Sequence, residues 1–212
     1  MASVRSTYDS LSRWYDLLAG SSERRAMEAG LDKLAVQEGQ MVVEVGCGIG
    51  NGLVQLAKSV GEHGRVCGLD LSAGMLAVAR QKIEDTGLEG RVLLVRGNAL
   101  SLPFRSACFA AAFMSLTLEL FADREIRTVL QECRRALRDN GRLGVVALSA
   151  RGKPTLARAL YERAHVAFPH YIDCRPIAVQ PAVEAAGFAT LDVAEMSLWG
   201  LPVEILVAER DT

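Results

Sequence analysis

The chain has 212 residues, half of them hydrophobic and 23% charged, with a formal net charge of -1. That length suits one domain with a full core, and that composition excludes a disordered chain. The near-neutral balance gives no electrostatic footprint for a phosphate backbone.

The start, Met1-Ala2-Ser3-Val4-Arg5, carries no apolar signal segment. The longest uncharged run, Ser106 to Leu118, falls short of the ~20 residues that span a bilayer. Both point to a soluble, cytoplasmic protein. There are five cysteines, Cys47, Cys67, Cys108, Cys133 and Cys174, with no CxxC spacing. Buried free thiols are expected, with neither a disulfide framework nor a metal site.

In chain order, Tyr8 to Leu18 is aromatic and amphipathic, with Leu11, Tyr15 and Leu18 on one helical face. A second helix follows Ser21-Ser22, with Met27, Leu31 and Leu34 as its apolar stripe. After the Glu38-Gly39 turn comes a run of β-branched residues, Val42-Val43-Glu44-Val45. It leads into Gly46-Cys47-Gly48-Ile49-Gly50-Asn51-Gly52, and Leu53, Leu56, Ala57 and Val60 then recur at helical spacing. This is strand, tight turn, helix, and glycines there let a ligand lie against bare backbone.

Arg65 to Asp70 is a second strand ending in an acid. Ser72 is placed to cap a helix carrying Met75, Leu76, Ala79 and Ile83. Val92 to Val95 is a third strand followed by Gly97-Asn98-Ala99. Phe109 to Leu116 reads as a strand buried on both faces. A helix is expected from Asp123, with a stripe running from Ile126 to Leu137 and ending at Asn140-Gly141. Leu143 to Leu148 is the fifth strand. Helices are expected over Pro154–Phe168 and Pro176–Ala186, the second stopped by Gly187, with a polar loop between them. Phe188–Met196 and Pro202–Glu209 read as two strands whose short link requires antiparallel pairing. The alternation is that of a doubly wound α/β sheet.

Three ligands compete for the glycine turn. A dinucleotide site wants Gly-x-Gly-x-x-Gly, and Asn51 stands where the third glycine belongs. A phosphate-binding loop wants Gly-Lys-Ser/Thr, which is absent. The third candidate, S-adenosylmethionine, has no phosphate and needs a tight, open turn with acids nearby. Glu44 precedes the first glycine, and Asp70 at the second strand's end is placed to accept from ribose hydroxyls. Asn98 can offer an amide to an adenine edge.

Glu44-Val-Gly-Cys-Gly-Ile-Gly50, Gly68-Leu-Asp70-Leu-Ser, Gly97-Asn98-Ala99 with Leu102-Pro-Phe104, and Arg135-Ala-Leu-Arg-Asp-Asn-Gly141-Arg-Leu together resemble the successive motifs of class I S-adenosylmethionine-dependent methyltransferases. The closer look-alikes are the ubiquinone/menaquinone-biosynthesis C-methyltransferases and related small-molecule enzymes. The resemblance covers residues 8–149 well and the terminal strands more loosely. It implies a Rossmann-like seven-stranded sheet, mostly parallel with an antiparallel C-terminal strand, with helices on both faces. It also implies one domain over 1–212: a helical lid over 1–38, a cofactor-binding core over 39–149, and substrate-cover helices with the terminal strands over 150–212.

By the same resemblance, Gly46, Gly48 and Gly50 lie under the methionyl part of S-adenosyl-L-methionine. Glu44 steadies the turn or the ammonium group, and Asp70 holds the ribose. Leu71 and Met75 flank the adenine, Asn98 and Ala99 meet its edge, and Met114 or Ser115 offers backbone carbonyls. Tyr8 and Tyr15 fold over the cofactor. Asn98 stands where an acid is more usual, and Asp139-Asn140-Gly141 replaces a common Pro-Gly-Gly turn.

No catalytic base stands out. Glu119, His170 and Asp173 are candidates by their place beside the expected pocket, and a solvated or structural role competes for each. Cys47 reads as packing, and Arg134, Arg135, Arg138 and Arg142 as a solvated helix face. The base-methylating signatures of nucleic-acid enzymes are absent, so the expected partner is a small-molecule acceptor, a quinol-type ring or lipid-like metabolite. Peripheral membrane contact is compatible with that acceptor. Two alternatives stay open: a non-catalytic S-adenosylmethionine-binding module, and an NAD-linked oxidoreductase, which Asn51 disfavours.

Overall fold

The computed structural model describes residues 21–151, 175–198 and 200–211. Tyr8, Tyr15, the expected helix over Pro154–Phe168, and the polar stretch with His170 and Asp173 lie outside them.

Seven strands form one sheet: β1 (Met41–Val45), β2 (Arg65–Asp70), β3 (Val92–Arg96), β4 (Phe109–Ser115), β5 (Leu137–Leu148), β6 (Phe188–Leu198) and β7 (Leu201–Arg210). Their spatial order is β3-β2-β1-β4-β5-β7-β6. The first five run parallel, and β7 is inserted antiparallel between β5 and β6. The order reverses between β1 and β4, and the crevice outside the strand ends at such a switch point is where open α/β sheets bind ligands.

Helices α1 (Ser21–Leu34), α2 (Asn51–Ser59), α3 (Ala73–Asp85), α4 (Asp123–Ala136) and α5 (Val179–Ala185) cover the sheet. Strand alternation decides which side each residue feeds. Val42, Val66, Phe113 and Val146 pack with Met27 and Leu34 of α1 and Leu53 and Leu56 of α2. Val43, Val45, Leu69, Ala112 and Val145 pack with Val129, Leu130 and Cys133 of α4 and Val183 of α5. Helix α1 is thus part of the core rather than only a lid. Its Gly30 lies so close to Val146 and Phe113 that a Cβ would overlap the Val146 side chain.

The helix expected to reach Asn140-Gly141 stops at Ala136. Leu137 is extended and pairs with Phe109. Its spacing from Cys133 fits a helical stripe, and its side chain is fully buried in either geometry. The helix ends because Ala107 N–H and Cys108 N–H donate to the carbonyls of Arg135 and Ala136, where a continuing helix would bond within itself. Residues 138–141 then form an irregularity in β5, with Asn140 left-handed at φ +58°. Likewise α5 begins at Val179, not Pro176, because Ile177 is drawn into a bridge with Ser149. Its N–H donates to Leu148 O, and its carbonyl accepts from Ala150 N–H. The terminal strands are antiparallel as expected but longer, with Leu198 opposite Leu201.

Arg134, Arg135 and Arg142 of the arginine cluster are tied down. Arg134 donates to the carbonyls of Gly187 and Asp211, and Arg142 to that of Ala35. Arg135 donates to Leu102 O and Phe104 O and pairs with Glu132 at 2.8 Å. These guanidiniums hold loops and chain ends to the sheet.

Candidate active site

The glycine turn rests on β2. Gly46 N–H and Cys47 N–H both donate to Leu69 O, and Gly50 N–H closes the turn on Cys47 O. Gly46, at φ +73°, takes a conformation that disfavours side chains. A Cβ on it would overlap Thr117, whose hydroxyl donates to Ser115 O and Gly46 O. A Cβ on Gly48 would meet nothing within 4 Å. One glycine therefore admits the next wall of the site, and the other leaves the backbone open to a ligand.

Asp70 locks this geometry. Its Oδ2 accepts from Gly48 N–H and its Oδ1 from Ser72 N–H, both at 2.8 Å. Ser72 Oγ in turn accepts from Met75 N–H and caps α3. Asn51 opens α2, and its Oδ1 accepts from Lys82 Nζ at 2.6 Å, which braces α2 on α3.

Glu44 lies on the α2 side of β1 and is 3% exposed. It packs against Gly52 so tightly that a Cβ there would overlap its carboxyl group. Its Oε2 is buried without a hydrogen-bond partner among the described residues. Burial, reinforced by the nearby Asp70 charge, raises its pKa from 4.5 to about 8. The folded state thus holds a proton that the unfolded chain releases near pH 4.5. The stability linked to that proton is complete below the lower pKa and is lost as pH rises through the upper one. Glu44→Gln removes the titration. Its thermal midpoint should therefore gain on the wild type as pH rises across that window, measured by scanning fluorimetry without ligand. Parallel pH curves would contradict this.

The turn floors a cavity of about 350 Å³. Its lining includes Glu44, Gly46, Cys47, Gly48, Asp70, Leu71, Met75, Asn98 and Ala99, together with Glu23, Arg24 and Met27 of α1 and Ser115, Leu116, Thr117, Leu120 and Phe121 at and after the end of β4. Leu71 is 51% exposed at the rim, whereas Met75 and Ala99 are buried. Asn98 Oδ1 accepts from Leu100 N–H, so its carbonyl is used in shaping the turn. Of the expected site residues, Gly50 and Met114 lie outside the lining. Gly50 packs on Ala79, and Met114 is buried in the core.

Glu119 is also outside the lining. It is fully buried in a short 3-10 turn (Leu118–Leu120), where its Oε1 accepts from Leu148 N–H at 3.0 Å. Burial raises its pKa to about 7 despite that bond. Burial pushes the Cys47 thiol well up, away from thiolate chemistry. Cys47, Cys67, Cys108 and Cys133 are free, and no metal-binding cluster occurs among the described residues.

Thr117, Glu23 and Arg24 were not expected in the site. A hydroxyl residue just past a strand end and an acid four residues before an apolar stripe residue were the only signals. Met27 was expected as core and serves also as pocket wall.

Residues 42–141 match the family model described as a methyltransferase domain. Over these residues the chain carries a methyltransferase domain. The domain is 32% identical over 153 residues to the demethylmenaquinone methyltransferase of Oceanobacillus iheyensis, covering 72% of this chain and 60% of that one. It is also 32% identical over 154 residues to the ubiquinone/menaquinone biosynthesis C-methyltransferase UbiE of Vibrio cholerae, covering 73% and 56%. The matches thus span less than two thirds of these relatives' length. Among solved structures, the methyltransferase domain superposes on the 1,6-didemethyltoxoflavin N1-methyltransferase of Burkholderia thailandensis at TM-score 0.74 and 19% identity, covering all of this chain and 88% of that one. A SAM-dependent methyltransferase from Aquifex aeolicus gives 0.70 at 20% identity, covering 93% and 97%. These likenesses establish the fold. No helix among the described residues is long and apolar enough to cross a membrane.

Proposed function

We propose that this methyltransferase domain transfers a methyl group from S-adenosyl-L-methionine to a small-molecule acceptor of the quinol type. The observation that carries the donor half is the buried, unpartnered Glu44 Oε2 beside an open glycine backbone and the Asp70 carboxylate. A cationic amino acid head and a ribose supply the charge and hydroxyls those groups lack. When bound, the cofactor supplies an electrophilic methyl group on a sulfonium. Glu44 meets the ammonium, and Gly46 and Gly48 carry the methionyl chain. Asp70 accepts from the ribose. Leu71, Met75, Asn98 and Ala99 enclose the adenine, and Ser115 presents its backbone near the amino acid head. Gly50 and Met114 act from behind the pocket by fixing the turn and the β4 end.

The acceptor occupies the half walled by Met27, Leu116, Leu120 and Phe121, whose apolar surface suits a ring and excludes water from the reacting centre. The relatives named for demethylmenaquinone and for ubiquinone/menaquinone biosynthesis support a quinol ring as that acceptor. We place the protein in the cytoplasm, in peripheral contact with the membrane where such acceptors reside, with no nucleic-acid partner. His170 and Asp173 stay as candidate catalytic groups, and Glu119 acts instead by fixing the β4 turn against β5.

Isothermal titration with S-adenosylmethionine and with NAD tests the donor. Binding of the first alone is expected, and binding of NAD alone would overturn the reading. Incubation with methyl-labelled donor and dithionite-reduced demethylmenaquinone should then label the quinone. Donor binding without label transfer to any quinol would favour a non-catalytic binding module.

A further inference from the structure

Methylation of a ring carbon leaves that carbon with one proton too many. A base positioned at the site speeds its removal. Among the described residues, three carboxyl groups line the cavity: Glu23, Glu44 and Asp70. Asp70 is engaged by two backbone N–H groups on the donor side. Glu44, 3% exposed and packed on Gly52, is the group assigned to the donor ammonium. Glu119 does not reach the cavity.

Glu23 differs from Asp70, Glu44 and Glu119. It lies one helical turn before Met27 on α1, so both side chains share the face turned to the chamber. It makes no hydrogen bond or ion pair with another described residue. It is half-buried, and that burial alone holds its carboxyl above the ordinary value. The other charged or titratable groups lining the cavity are Arg24 on its own helix, Glu44 on β1, Cys47 in the glycine turn and Asp70 on β2.

We propose that Glu23 is the catalytic base that takes the acceptor's proton. The assignment rests on the quinol reading above. The acceptor's ring carbon uses a π pair to form the new carbon–carbon bond to the donor methyl. The carbon–sulfur pair stays on sulfur, which becomes a neutral thioether. The same ring carbon then gives its hydrogen to the Glu23 carboxylate as a proton. The freed C–H pair restores the aromatic ring, and solvent later takes the proton from Glu23. No oxidant or reductant enters.

The test is the variant pair Glu23→Gln and Glu23→Asp in the full chain, with dithionite-reduced demethylmenaquinone and S-adenosylmethionine. Glu23→Gln should lower kcat about 10²-fold or more, the usual weight of a general base. It should leave the donor dissociation constant from isothermal titration within twofold. Its kcat profile should lose the acid limb that the wild type shows, and Glu23→Asp should recover part of the rate. Without turnover, carboxyl carbon NMR should show one resonance, missing in Glu23→Gln, that titrates above the ordinary glutamate value. Two outcomes overturn the proposal: a Glu23→Gln kcat within twofold of wild type, or a loss of rate matched by a loss of donor affinity. A wild type that binds donor but methylates no quinol fails differently. It removes the quinol reading, and the role of Glu23 with it.

Discussion

Asp70→Ala is expected to weaken S-adenosylmethionine binding by about 10²-fold or more. The carboxylate does two things at once. It fixes the turn by accepting from Gly48 N–H and Ser72 N–H, and it presents the acceptor for the ribose. Hydrogen bonds to a charged group contribute roughly 1.5–3 kcal/mol each, so losing the ligand bonds and the pre-set turn together amounts to about 3 kcal/mol. Asp70→Asn keeps one acceptor oxygen and should fall between the two. Titration calorimetry gives the constants, and an Asp70→Ala affinity within threefold of wild type would show that the ribose lies elsewhere.

Gly46→Ala should destabilise the fold even without ligand. A left-handed backbone costs an alanine roughly 1–2 kcal/mol. The overlap with Thr117 adds about 1–3 kcal/mol of overpacking. For a chain of this size the sum lowers the thermal midpoint by about 4–20 °C. Gly39→Ala is the control, since Gly39 has φ +78° with nothing within 4 Å of a Cβ, and it should show only the backbone part. Adding Thr117→Ala to Gly46→Ala should restore stability beyond additivity, the mark of direct contact. Equal losses in Gly39→Ala and Gly46→Ala would mean that the β4 turn yields freely.

The donor half of the site was legible because it is local. One glycine turn, one acid ending β2 and one capping serine sit at fixed offsets from strand ends, and strand ends follow from hydrophobic runs. The acceptor half was not legible, because it is assembled from distant segments. Glu23 and Phe121 meet the same cavity only through the packing of α1 on the sheet, which no spacing rule encodes. Leu137 shows a second reason. A buried leucine four residues after Cys133 satisfies helix and strand patterns alike, and the choice was made by Ala107 and Cys108 reaching over to the helix's last carbonyls. Glu119 shows a third. An acid after a strand end suggests a pocket mouth, whereas its carboxyl is turned inward to Leu148 N–H.

The bridge between Ser149 and Ile177 bears on how such a domain changes over time. The backbone leaves the sheet after Ala150 and returns at Ile177 by way of hydrogen bonds between those very residues. Ser149, Gln180 and the fully buried Glu204 pin the same junction from below. The excursion is therefore closed at its base regardless of what it contains. Doubling its length would cost only about 0.6 kcal/mol of closure entropy.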